Sequence, residues 1–439
     1  MNGATHASMA AEPASGGRLA IDDGASDSEI EEATRSWIEA HVPATWRRAA
    51  VDGLAAIRAI RARTEYEQWY PVFGVSGMVV PTWPVEYGGL GLSRAHAAIV
   101  EDELAPFHLG RLNPLGLNLC ASALFAHGSE EQRVRYLGPI VRNEERWCQL
   151  FSEPGAGSDL GSLATGAVRD GDNWIVSGQK VWTTWAHTSD WAVLLARTDS
   201  DVPKRKGITY FLLELDQPGV DVRPLRHLTG EIDFNEVFLD GAIVPDHQRV
   251  GGVNDGWRVA GSTLASERQM VAGAGSGGVD RIGGTGVEHA IDLAAERGSN
   301  GDPIVRQHLA GLVAEERIRS ITNRRVREQL AVGRAPGPES SVGKVHSGDL
   351  NQRLQLATVD LLGADALAWA PDGTDGTPRA VPYPESLRRE VHGMLRSRAN
   401  TIEGGTTEVN KNIVGERVLG LPREPDPWDG RPWNEVPRS

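Results

Sequence analysis

Two segments decide how the chain is read: Phe151-Ser152-Glu153-Pro154-Gly155-Ala156-Gly157-Ser158-Asp159 and, a short way on, Gly178-Gln179-Lys180-Val181-Trp182-Thr183-Thr184. The first is a Gly-rich turn with an exposed hydroxyl, and such turns aim backbone N–H groups at phosphate or carbonyl oxygens. The second ends a strand with an aromatic ring and hydroxyls side by side. That combination suits a flat heterocycle with polar edges, the ring covering its face and the hydroxyls meeting its N and O atoms. Either segment alone reads as an ordinary β-turn or a core tryptophan. Both within one short β-region is a much less ordinary pattern.

Working outward, residues 146–248 hold short β-forming runs such as Trp174-Ile175-Val176 and Val237-Phe238-Leu239, separated by turns such as Asp170-Gly171-Asp172-Asn173. Strands at this spacing predict a small antiparallel barrel. Helical periods flank it, at 28–145 before and at 257–272, 286–297, 303–332, 339–364 and 386–420 after. The second set predicts a four-helix bundle. The expected fold is mixed, mainly α, with the barrel inserted between two helical units. The expected parts are a disordered extension (1–25), an N-terminal helical domain (26–145), the β-barrel domain (146–248), a C-terminal helical bundle (249–420) and an extended tail (421–439). The Gly-rich run at 273–286 forms no strand–GxGxxG–helix unit, so a Rossmann fingerprint is not expected there.

The 439 residues suffice for two or three domains, with ordinary hydrophobic (40%) and charged (24%) fractions. A net charge of -14 argues against nucleic acid as a partner. No apolar run predicts a membrane span or a secretory signal. Cys120 and Cys148 lie far apart and outside any metal-ligand spacing, so buried free thiols in a reducing cytoplasm are expected and no metal site is.

With these segments quoted, the sequence resembles the acyl-CoA dehydrogenase family over roughly residues 30–422. The SEPGAGSD loop and GQKVWTT strand are joined by PVEYGGLG, by Arg297-Gly298-Ser299-Asn300-Gly301 and by IEGGTTEVNKNIVGERV at 402–418, in the family's order. The resemblance implies FAD as cofactor and an acyl-CoA as substrate. It implies that the main chain around Leu150, Phe151 and Ser152 meets the pyrimidine side of the flavin, with the Ser152 hydroxyl donating. Trp182 and Thr184 would lie against the ring near its N5 edge, and Ser158 on the pantetheine. Thr406 and Glu408 would meet the adenine-side half of FAD, and Arg297 the pyrophosphate of a cofactor in a neighbouring subunit, where its planar fork can hold two oxygens. Two positions depart from the pattern: Asn300 stands for an aromatic, and His308 for a glutamine. Arg268 matches an arginine beside the thioester cleft, although a helix-surface arginine is the ordinary reading.

The resemblance also requires one carboxylate facing the α-carbon of the thioester, raised toward neutral pKa by desolvation. In the commonest family pattern it falls at Gly404, which carries no acid. Glu267 occupies the helix position that supplies the base in a minority of members, and Glu403 stands one residue before the usual place. Glu267 is favoured. The ordinary readings are a helix-surface carboxylate paired with Arg268 or Arg281 for Glu267, and a turn-holding group for Glu403. An extra stretch between Ala364 and Ile402 reads as a functional loop or equally as surface decoration, while the many tryptophans and the glycines at 273–278 fit a widened cleft for a branched, cyclic or steroid-like acyl group. Family habit implies a homotetramer or dimer, or a mixed oligomer, passing electrons to an electron-transfer flavoprotein or another acceptor. Two other readings stay open: a flavin monooxygenase or oxidase on the same fold, which needs reduced flavin in trans, and a silent subunit of a mixed oligomer, which binds no flavin alone.

Overall fold

The structure, a computed structural model, describes residues 17–271, 284–331, 340–367 and 388–437. It forms two compact units: one holds the described residues up to Leu117 together with Glu130–Arg146, the other Asn118–Ser129 and everything described from Trp147 onward.

The first unit is helical: α1 (Asp27–His41), α2 (Ala44–Val51), α3 (Leu54–Ile60), α4 (Arg63–Gly74) and α5 (Arg94–Leu104). Ser26 opens α1 through a capping box with Glu29, each side chain bonding the other's backbone N–H. Residues 17–25, expected as part of a disordered extension, are held: Leu19 is buried and donates its N–H to Ser76 O, and Asp23 accepts from Ser93 N and bonds the His96 ring. A buried leucine and a carboxylate that caps α5 outweigh the flexible composition. Trp37, Trp46, Tyr66, Trp69, Tyr70 and Phe73 form one aromatic cluster on α1, α2 and α4. Trp147, Trp174 and Trp191 are buried in the other unit. These tryptophans are core, so their number is no argument for a widened cleft.

In the second unit α6 (Ala121–His127) is followed in sequence by α7 (Glu130–Arg142), which belongs to the first. The sheet has strands β1 (Trp147–Leu150), β2 (Gly166–Asp170), β3 (Asn173–Thr184), β4 (Trp191–Arg197), β5 (Ile208–Glu214), β6 (Val220–Leu225), β7 (Phe234–Pro245) and β8 (Arg249–Val250). Their order is β6-β7-β3-β2-β4-β5-β8, with β1 added parallel to β4. The expected closed antiparallel barrel is therefore corrected to an open, mixed sheet. β4 pairs with β5 on one edge and β1 on the other, which leaves β2, paired with β3 along its length, a single residue against β4, Gly166 opposite Arg197. β6 pairs only with β7 and keeps a largely exposed edge.

A clip fastens one corner of this sheet. Asp246 accepts from Trp174 Nε1 (2.8 Å) and from Arg249 Nε and Nη2 (2.9 and 3.0 Å), and the Arg249 and Trp174 bonds hold its carboxyl at about 2. An unfolded aspartate titrates near 3.9, so the contribution is whole above about pH 4 and fades as the pH falls toward 2. Asp246→Ala is expected to cost about 1 kcal/mol at pH 7, with a gap in melting temperature that narrows over that acid window. A gap that is flat with pH would refute it.

The remaining helices are α8 (Gly256–Val271), α9 (Val287–Glu296), α10 (Pro303–Ala331), α11 (Ser340–Leu362), α12 (Arg388–Ser397) and α13 (Thr407–Ile413). Ala290 and Ala294 of α9, Leu309 and Leu312 of α10, and Leu350, Leu354 and Ala357 of α11 form their shared core. The single helix expected over 386–420 is broken. α12 stops at Ser397, and after a 3-10 turn ending at Thr401 both Gly404 (φ 64°) and Gly405 (φ 84°) take left-handed backbone, which lets Thr406 cap α13. Among the described residues no helix is long and apolar enough to cross a membrane. The glycines at 273–278, Arg281 and most of the stretch between Ala364 and Ile402 lie outside the described residues.

Candidate active site

The site is built from the end of β1, the turn after it and the end of β3. Val181 donates its N–H to Ser152 O (3.0 Å), which lays the last residues of β3 against Leu150, Phe151 and Ser152. The β3–β7 register slips between Lys180 and Thr183. At that bulge Trp182 takes φ 60°, rare for a residue with a Cβ, and leaves its indole 61% exposed. Thr184 and Ser152 stand half-buried beside it, while Leu150 and Phe151 are buried. The Thr183 hydroxyl is buried with no hydrogen-bond partner. An aromatic face, hydroxyls and an unspent polar atom thus share one strand end.

Beneath this wall lies a buried ion pair. Lys180 is fully buried and donates to Phe151 O (3.0 Å) and Glu153 Oε1 (2.8 Å). The Glu153 carboxylate also accepts the backbone N–H groups of Ala164 (2.6 Å) and Thr165 (2.9 Å). Burial pushes Glu153 upward, but the Lys180 charge and these bonds together hold its carboxyl below the usual range. The pair welds the SEPGAGSD turn to β3 and shapes the two segments that opened the sequence reading.

Glu267, half-buried on α8, accepts a hydrogen bond from Gln149 Nε2 (3.2 Å). Gln149 directly precedes Leu150, so the favoured base stands next to the segment expected to meet the cofactor. Glu403 is placed differently. Arg396 grips it with two bonds (2.9 and 3.3 Å) and Asn400 Nδ2 donates to it (2.9 Å). Asn400 in turn accepts from Asn351 Nδ2 (2.7 Å) and, at its carbonyl, from Lys344 Nζ. Lys344 is 2% exposed; burial lowers its pKa, against which the charges of Glu403 and Glu267 both act. Both candidate carboxylates therefore act on the charge of one buried ammonium, with Glu403 tied into a turn-holding network.

Three family models match in sequence order: "Acyl-CoA dehydrogenase, N-terminal domain" over 26–144, "middle domain" over 148–241 and "C-terminal domain" over 254–419. The acyl-CoA dehydrogenase IpdE1 of Mycobacterium tuberculosis is 36% identical over 90% of this chain and 98% of its own length. This chain belongs to the acyl-CoA dehydrogenase family. FadE34 of the same organism is 38% identical over 84% of this chain, yet the chain spans only 48% of that relative. A solved structure described as the Tcur3481-Tcur3483 steroid ACAD superposes with a TM-score of 0.69 at 27% identity, covering 91% of this chain and 98% of that one.

Acyl-CoA dehydrogenases are oxidoreductases acting on a CH–CH bond, and membership implies a flavin. The residues present fit one, since an exposed indole face beside hydroxyls and the unpartnered Thr183 oxygen match a flat ring with polar edges. Other expected site residues are scattered around this wall. Ser158 is exposed on the SEPGAGSD turn. Thr406 spends its hydroxyl on capping α13 through Val409 N, and Glu408 is exposed in the first turn. Arg297, at the end of α9, pairs with Asp365, and His308 is exposed on α10; the structure does not bring either to the Trp182 wall. The Arg268 side chain lies outside the described residues. His227, Glu231 and Asp233 set ligand-type atoms within 4.8 Å of one another, with Glu231 already bonded by Thr229 and His392. Sequence reading missed Gln149, Lys344, Arg396 and Asn400. No local pattern marks them, because each earns its place only through contacts distant in sequence.

Proposed function

We infer that this chain is an FAD-dependent acyl-CoA dehydrogenase in which Glu267 is the base. The observation that carries the reading is the Glu267–Gln149 bond, which sets a half-buried carboxylate beside the 150–152 segment. Leu150, Phe151, Ser152, Trp182 and Thr184 would hold the flavin ring, and bound FAD supplies the acceptor for the β-hydrogen, which leaves the substrate as hydride. Glu267 takes the α-proton onto its carboxylate, leaving a trans-2-enoyl-CoA. The charges of Glu267 and Glu403 both favour the charged form of the buried Lys344. Gly404 leaves space where a family glutamate usually stands. The steroid ACAD likeness supports a bulky, ring-containing acyl group. We further propose an oligomer that passes its electrons to an electron-transfer flavoprotein or another acceptor.

The test is anaerobic titration of the yellow protein with a panel of acyl-CoA thioesters, bulky cyclic ones included. Bleaching by at least one is expected; a flavin that stays oxidised with all of them sinks the reading. Glu403→Gln separates the two carboxylates. Its expected effect is a loss of stability of about 1–3 kcal/mol, with the rate of bleaching kept to within about tenfold. A variant at Glu403 that folds normally and does not bleach would move the base there.

A further inference from the structure

After Gly420 the chain runs without α-helix or strand to a short turn at Trp433–Glu435. That turn is docked, not loose. Pro432 bridges Pro203, Trp433 N donates to Val202 O (2.9 Å), and Asn434 N donates to Ser200 O (3.1 Å). The Asn434 side chain adds a bond to Asp201 (2.7 Å). The Trp433 ring is 8% exposed and lies with its centroid 4.6 Å from the guanidinium of Arg197. Its indole N–H donates to Ser162 O (3.2 Å).

Arg197 is itself buried, and it donates to Gly161 O (2.7 Å) through Nη2 and to Leu163 O (3.2 Å) through Nε. The carbonyls of 161, 162 and 163 are thus all gripped from behind by two side chains, one of them from the far end of the chain. Residues just before them form the front of the same turn. Asp159 accepts from Ser162 Oγ (2.5 Å) and Lys204 Nζ (2.8 Å), and Ser158 precedes it. Ser162 also lines a cavity of about 260 Å³ walled by Glu153, Pro154, Ala156 and Gln179.

We propose that the C-terminal tail belongs to the substrate-binding apparatus, with Trp433 the positioning residue that holds the 158–163 turn in place for coenzyme A. The proposal rests on the reading that Ser158 and its turn meet the pantetheine. Removing the indole strips Ser162 O of its donor and opens the face of Arg197 to water. Both losses loosen the turn that presents Ser158, while Glu267 stays held on α8 by Gln149. The expected signature is weaker binding with chemistry left alone.

The experiment uses the full-length, FAD-loaded chain and coenzyme A itself as probe, read by calorimetry. Trp433→Ala is expected to weaken coenzyme A by about tenfold or more, to raise KM for a turned-over thioester by a similar factor and to change kcat less than about threefold. Amide exchange at Ser162 and Leu163, whose N–H groups bond Asp159 O and Leu160 O, should quicken. Trp433→Phe keeps a ring over Arg197 without the N–H and should fall between; it carries the test if the alanine variant does not fold. Unchanged coenzyme A affinity in a folded variant with normal flavin absorbance overturns the proposal, as does a parent that does not bind coenzyme A. A parent that binds coenzyme A but bleaches with no thioester sinks the dehydrogenase reading alone, and the affinity comparison still decides the tail.

Discussion

Glutamine in place of Glu267 is expected to lower the rate of acyl-CoA-driven flavin reduction on the order of a thousandfold while leaving the protein yellow. The substitution removes the proton acceptor and little else. A glutamine is nearly the same shape and its amide oxygen still accepts from Gln149, so the α8–β1 contact survives. Lys344 would then keep only Glu403 of the two carboxylates that favour its charge. Stopped-flow bleaching under nitrogen, alongside flavin content by absorbance, measures both halves. Full-speed bleaching in the variant would remove Glu267 from the mechanism.

Lys180→Met should be the most damaging single change to stability, costing about 3–5 kcal/mol. Methionine fills nearly the same volume, so the loss comes from charge and hydrogen bonding: Glu153 is left buried without its cation, and Phe151 O without its donor. Adding Glu153→Gln to the methionine variant removes the stranded charge and should recover part of the loss. The pH dependence has a definite sign. In the parent the Glu153 carboxyl is held low, so its contribution is present above the ordinary carboxylate range and is lost as the pH falls through its depressed value. In the variant burial is opposed by the Ala164 and Thr165 N–H bonds without the Lys180 charge, the group protonates more readily, and the gap between the two proteins narrows in acid. Denaturant midpoints at neutral and acid pH test this; equal gaps at both would show that the ion pair contributes nothing.

Much of the architecture was legible because it is written locally. Periodicity located α8, α9, α10 and α11 to within a few residues, and the last three each present an apolar stripe to the Ala290–Leu312–Leu354 core. The SEPGAGSD and GQKVWTT segments pointed to one wall because strand and turn chemistry are local too. What failed was long-range. Nothing in the composition of β4 announces that parallel β1 takes its second edge, so a closed barrel was expected where an open sheet stands. Contacts distant in sequence, such as those of Thr263 of α8 with Leu119 O and of the His127 ring with Ser262, were equally unannounced. Helix position favoured Glu267 over Glu403 in the sequence, but the hold of Arg396 and Asn400 on Glu403 was invisible in the spacing.

The paired glycines ahead of α13 bear on how this catalyst could be re-engineered. Position 404 sits at φ 64°, a shape that costs any side chain with a Cβ about 1–2 kcal/mol. Transplanting the acid to the more usual site is therefore not a matter of one codon, since a glutamate there would carry that backbone strain. With Glu267 as the proposed base, the left-handed backbone at both glycines disfavours moving the acid to 404, and such a move would mean redesigning the backbone around them first.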